Sequence, residues 1–103
     1  MTTMIPVPSI GEILSEEFMI PLHLSAYQLA KEIHVPTSRI QDILHGRRKV
    51  TADTSVRLGR YFGVSDGYFL NMQNDIEIRL LTEKEDQDIL SIQHYREPAI
   101  QSA

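Results

Sequence analysis

Between Ser25 and Gly46 the chain reads SAYQLAKEIHVPTSRIQDILHG, and this stretch limits the possible folds more than any other. Ser25 with Gln28 three residues on has the form of a capping box. Ala26, Leu29, Ala30 and Ile33 then recur at helical spacing. His34-Val35-Pro36 interrupts the pattern, with Val35 as the candidate buried plug. Thr37 is the predicted cap of a second helix. Ile40, Ile43 and Leu44 face inward on it, and Gly46 closes it as the C′ residue. A small residue at Ala30 lets two helices approach closely at a steep angle. Two short helices joined this tightly predict a helix-turn-helix, the unit that lays its second helix in the major groove of DNA.

Charge supports that reading once it is resolved along the chain. The net charge of -4 alone argues against a polyanionic partner. Residues 23–60, however, carry Lys31, Arg39, Arg47, Arg48, Lys49, Arg57 and Arg60 against Glu32, Asp42 and Asp53, a local +4. The segments before and after carry -3 and -5. A basic middle in an acidic chain is a localised electrostatic footprint.

The flanking sequence predicts an all-α protein. Pro6 and Pro8 keep a 1–8 arm extended. Ser9 and Glu12 form a capping box for a first helix with Ile10, Ile13, Leu14 and Phe18 on one face, ended by Pro21. After the Arg47-Arg48-Lys49 loop, Thr51 caps a fourth helix with Asp53 in its first turn. Val56, Leu58 or Gly59, and Phe62 form its core face, and Gly63 ends it. Ser65 is the expected cap of a short fifth helix through Tyr68, Phe69, Leu70 and Met72, and with Tyr61 and Phe62 these residues make a core cluster. A last helical run from Ile76 to Leu81 carries Ile76, Leu80 and Leu81 on one face. Thr82 with Glu85 is the expected cap of a further turn or two through Ile89, Leu90 and Ile92, and the chain frays from about His94. The expected organisation is an arm over 1–8, a DNA-binding domain over 9–75, and a helical extension with a frayed tail over 76–103.

Other chemistries find little support. Cysteine is absent, which excludes disulfides and thiolate chemistry. No apolar run approaches the roughly 18 residues of a membrane span, so no membrane association is expected. The N-terminus lacks the basic and apolar regions of a signal peptide, and the expected location is cytoplasmic. His23, His34 and His45 are evenly spaced, but breaks at Pro21 and Pro36 deny them a common face, so no metal site is expected. No catalytic constellation or glycine-rich phosphate loop stands out, and neither an enzyme nor a cofactor is expected.

On the predicted recognition helix, Thr37 and Ser38 can meet bases or phosphates, Arg39 can fork onto guanine and Gln41 onto adenine. Asp42 must accept from cytosine or face away. Gln28, His45, Arg47, Arg48 and Lys49 are placed for phosphates. The Ile76, Leu80, Leu81 face follows a complete five-helix core. It reads as a homodimer contact or, alternatively, as packing onto the first helix. The tail EKEDQDILSIQHYRE is either a solvated end or a dock for a basic protein.

The GEIL and EEF segments, LS-x-x-x-LA, the block GRRKVTADTSVRLGRYFG, and YFLNMQ together resemble the HigA antitoxin family, a branch of the phage-repressor-like helix-turn-helix proteins. The resemblance covers residues 8 to about 76. It implies a five-helix DNA-binding fold, a homodimer, binding to an inverted repeat in the operon's own promoter, and neutralisation of a RelE-like mRNA-cleaving toxin, HigB. It places the recognition helix on Thr37 to His45 and the basic loop on Arg47 and Arg48. The chain departs from the family in having His45 for asparagine, Tyr68 for tryptophan, and Asn74-Asp75-Ile76 for tyrosine-aspartate-leucine. The resulting expectation is an autoregulating repressor and antitoxin. Two alternatives remain: a solitary regulator of the same fold, and a protein-interaction module binding a basic partner.

Overall fold

The caps set where the helices begin. In the computed structural model, which describes residues 7–96, Ser9 and Glu12 form a reciprocal box and start α1 (Ile10–Ile13). Without a break, α1 widens into a π-helical segment, Leu14–Met19, in which the Ile20 amide donates to the Ser15 carbonyl at 2.8 Å. The wider turn brings residues five apart onto one face. Leu14 and Met19 are consequently both buried, while Phe18 is half-buried against the same core. The α-helical spacing assumed from sequence includes Phe18 and passes over Met19.

Ser25 and Gln28 form a second box and start α2 (Ala26–Ile33). The following helix, α3 (Thr37–Leu44), departs from expectation at its first residue. Pro36, extended at φ -63° and ψ 145°, is its N-cap with no side-chain bond, and Thr37 is its first helical residue. The pyrrolidine ring fixes a φ suited to the helix start, so Thr37 is not needed as a cap. Thr51 does cap α4 (Ala52–Phe62), accepting from the Thr54 amide.

The core face of α4 is rotated from the expected one. Val56 is exposed, whereas Thr54, Ser55, Leu58 and Gly59 are buried. Thr54, Leu58 and Phe62 are spaced by four and form the stripe; Val56, two residues off it, points away. Ser55 is tolerated inside because its hydroxyl donates to the Asp66 carbonyl (2.7 Å) and accepts from the Leu70 amide (3.1 Å).

Ser65 caps nothing. α5 begins at Tyr68 behind Gly67 and runs unbroken to Glu83, where two separate helices were expected. Asn74 and Asp75 are exposed, and no proline or glycine lies between 68 and 83 to stop the helix. The next cap is Asp86, which accepts from the Asp88 amide and starts α6 (Gln87–Leu90). Thr82 instead donates to the Ile78 and Arg79 carbonyls, so the expected Thr82–Glu85 cap is not formed. Residues 1–6 of the predicted arm and 97–103 of the predicted tail lie outside the described residues.

The core sits where α1 to α5 converge, with Leu14, Leu29, Ile40, Ile43, Leu58 and Phe69 fully enclosed. Fully burying side chains of this type stabilises by about 1.5–3 kcal/mol each. Phe18 lies 4.9 Å from Phe62 and 5.0 Å from Phe69, ring centre to ring centre, joining the π segment to α4 and α5. Tyr61, expected in that cluster, is exposed at its edge. Gly11 passes so close to the end of α3 that a Cβ would stand 2.5 Å from the Ile43 carbonyl oxygen. The GEIL segment therefore seats α1 directly beneath the C-terminus of α3.

Candidate nucleic-acid interface

The turn between α2 and α3 depends on His34, whose backbone is left-handed at φ 62° and ψ 47°. Glycine usually holds this position because a Cβ opposes the conformation. The Val35 amide then donates back to the Ala30 carbonyl at 3.0 Å and folds the chain into α3. Arg57, from α4, donates through Nη1 to the Ile33 carbonyl at 3.0 Å and more distantly to that of His34 at 3.5 Å. A cation thus completes the exposed carbonyl end of α2.

Ile40 and Ile43 anchor α3 inward, leaving Ser38 and Gln41 exposed and Thr37, Arg39 and Asp42 half-exposed on its outer face. Gln28 lies at the start of α2, where its Oε1 is occupied by the cap and its amide nitrogen remains a free donor. The predicted polar residues therefore lie along one helix-turn-helix unit.

Each predicted cation near α3 has an acidic partner. Arg39 donates through Nη1 to Asp53 Oδ2 at 3.2 Å, and Arg57 Nε reaches the same oxygen at 2.9 Å. Asp42 binds the loop. Its Oδ1 accepts from Arg47 at 3.1 Å, its Oδ2 lies 4.0 Å from Arg48 Nε, and its carbonyl accepts from the Arg47 and Arg48 amides. Lys49 pairs with Glu77 at 2.7 Å. Exposed pairs of this kind contribute about 0–1 kcal/mol each, so they orient the cations without removing them from use. His45 donates from Nδ1 to the Gln41 carbonyl at 2.7 Å, since a carbonyl can only accept. Its Nε2 can therefore donate to a phosphate only when the ring is doubly protonated.

The loop is also fixed from beneath. Gln73, buried on α5, accepts from the Val50 amide at 2.7 Å and donates to the Val50 carbonyl at 2.8 Å. Sequence reasoning missed Gln73, Glu77 and the structural use of Asp53. Only the Asp53–Arg57 pair carried a signal, as opposite charges four apart on a helix. At the other end of α4, Arg60 makes a two-pronged contact with Asp66 at 2.8 and 3.1 Å. The hydrogen bond from Arg60 holds the Asp66 carboxyl below its ordinary range.

The predicted dimer residues separate. Ile76 is half-buried and, with Val7, Ile10, Ile43 and Leu80, lines an open groove of about 260 Å³. Leu80 and Leu81 are 50% and 51% exposed, and Ile78 is 59% exposed. From Ile78 to Arg96 every residue except Asp86 is exposed.

The helix-turn-helix family model matches residues 16–69. Virulence-associated protein I of Dichelobacter nodosus is 47% identical over 79 residues, spanning 77% of this chain and 72% of that protein. An addiction module antidote protein of a HigA family from Coxiella burnetii is similar in structure, with a TM-score of 0.76 and 39% identity over 89% of this chain and all of that one. The antitoxin HigA of Pseudomonas aeruginosa, solved with the higBA promoter, gives a TM-score of 0.75 and 30% identity over 84% of this chain and 95% of that one.

Proposed function

We propose that this chain, which belongs to the phage-repressor-like helix-turn-helix family, is a DNA-binding repressor that acts as a dimer on a palindromic operator and serves as a HigA-type antitoxin. The observation that carries the DNA-binding part is the outer face of α3, polar along its length and framed by basic residues held in place. In this reading Thr37, Ser38, Arg39 and Gln41 read base edges, while Gln28, His45, Arg47, Arg48 and Lys49 hold phosphates. Residues 9–75 form the DNA-binding domain. Residues 76–103 extend it, and α5 crosses between them without a break.

The dimer is supported by the exposed Leu80 and Leu81, which leave an apolar helix face open to water. Two copies joined there would present two α3 helices about 34 Å apart, and the operator would be two-fold symmetric. The antitoxin role is supported by the likeness to the Pseudomonas aeruginosa HigA antitoxin. Its partner would be a RelE-like toxin encoded beside this chain, acting in the cytoplasm where the DNA lies. Among the described residues no helix is long and apolar enough to cross a membrane.

The test begins with duplexes selected by the protein from a randomised pool. They should converge on an inverted repeat. Arg39→Ala should lower discrimination at one base pair per half-site by about 1–3 kcal/mol. Arg47→Ala should weaken all duplexes alike and make the salt slope shallower by about one unit. Selection without enrichment, or two variants that bind as the parent does, refutes the repressor. A neighbouring small basic protein whose expression arrests growth, and whose toxicity this chain relieves, is the expected outcome for the antitoxin role; no such neighbour leaves a solitary regulator.

A further inference from the structure

We propose that Asp53, on α4 and outside the recognition helix, is the positioning residue that aims Arg39 and so sets sequence discrimination. The proposal rests on Arg39 being a base reader. An arginine on a helix surface can swing through many rotamers and satisfy more than one base or phosphate. Freezing it on binding also costs side-chain entropy. Here the swing is restricted at the guanidinium itself, where Nη1 donates to Asp53 Oδ2 at 3.2 Å.

The carboxylate is itself held from behind. The same Oδ2 accepts from Arg57 Nε at 2.9 Å, and Arg57 Nη1 donates to the Ile33 carbonyl at 3.0 Å. A continuous chain of hydrogen bonds therefore runs from the end of α2 through α4 to the first turn of α3. It ties together both helices of the helix-turn-helix and the helix packed behind them. Only one of the five N–H donors of Arg39 is bound to Asp53, so the remainder can fork onto a base edge. One carboxylate between two guanidinium groups leaves the cluster at +1, still attractive to an approaching acceptor.

A residue that merely stabilised the fold would alter melting without changing discrimination between duplexes. A residue that masked Arg39 would, when neutralised, raise affinity for every duplex. Positioning predicts a different signature. On the selected duplex and its single-base-pair variants, Asp53→Asn should lose about tenfold of the discrimination at the base pair that Arg39→Ala affects. Discrimination elsewhere should persist, and Asp53→Asn in an Arg39→Ala background should lose nothing more. Binding to a scrambled duplex of equal length reports the folded fraction and separates unfolding from misaiming. If Arg39→Ala lowers discrimination and Asp53→Asn does not, Asp53 does not position it. Higher affinity of Asp53→Asn for all duplexes, with discrimination intact, overturns the proposal in favour of masking. If Arg39→Ala itself leaves discrimination unchanged, the base-reader reading fails and this inference fails with it.

Discussion

Along α3 the side chains that face outward are polar, and the cations beside them are tied down: Arg39 to Asp53, Arg47 and Arg48 to Asp42, Lys49 to Glu77. Along the second half of α5 the outward side chains include Ile78, Leu80 and Leu81, and the ion pair there, Arg79 with Glu83, stays within its own helix. The first surface is ordered before anything binds to it. A rigid polyanion rewards such a surface, because correct geometry is then set without further ordering. The second surface instead exposes apolar area that gains stability only when another chain covers it. The two surfaces meet in one helix: α5 holds the basic loop through Gln73 and Glu77 and, about a turn further along, carries Leu80 and Leu81.

The largest expected effect breaks the fixed half of that contrast. Gln73→Leu removes both partners of the Val50 peptide groups, in a residue that is only 2% exposed. Two buried groups left unpaired should cost about 3 kcal/mol, a fall in melting temperature of roughly 15 °C for a domain of this size. Thermal unfolding by circular dichroism measures it; a variant that melts with the parent shows that the loop is not held by this clamp. The next effect tests the uncovered half. Leu80→Glu with Leu81→Glu should halve the sedimenting mass towards the 11.8 kDa of one chain. It should also weaken operator binding by about a hundredfold through lost bivalency. Melting should fall and lose its dependence on protein concentration, since association of two folded chains stabilises both by mass action. Unchanged mass places the dimer contact elsewhere.

The two surfaces also differ in how far they were legible. Caps and periodicity placed α2, α4 and the box at Ser9, because Ser25, Thr51 and Ser9 sit next to strong apolar patterns. The polar face of α3 followed from the same periodicity. What holds that face did not: Asp53, Glu77 and Gln73 lie 14, 28 and 23 residues from their partners, and no local pattern encodes such pairing. The rotation of α4 was hidden because Thr54 and Ser55 look like surface residues, and only the Asp66 carbonyl and Leu70 amide make Ser55 acceptable inside. The π segment was hidden because spacings of four and five among Leu14, Phe18 and Met19 are both readable as helix. The apolar Leu80–Leu81 pair was visible, but the continuity of α5 was not, as Asn74-Asp75 imitates a turn.

The smallest expected effect sharpens the claim that exposed ion pairs here orient side chains more than they stabilise the fold. Arg60 and Asp66 form such a pair away from α3, and the hydrogen bond from Arg60 lowers the Asp66 carboxyl below the ordinary carboxylate range. A carboxyl whose folded value is depressed stabilises the fold above its unfolded value and loses that contribution as pH falls through the folded one. The parent should therefore be slightly more resistant to urea than Asp66→Asn at pH 7. The difference should close as pH drops below the ordinary carboxylate range. The Asp66 carbonyl, which accepts from Ser55, is untouched by this change. A urea midpoint that differs equally at both pH values would trace the effect to the loop's packing. A large difference confined to pH 7 would show that exposed pairs in this chain stabilise strongly. Those around α3 would then be part of the fold's stability, and their value as aiming devices would have to be shown by discrimination between duplexes alone.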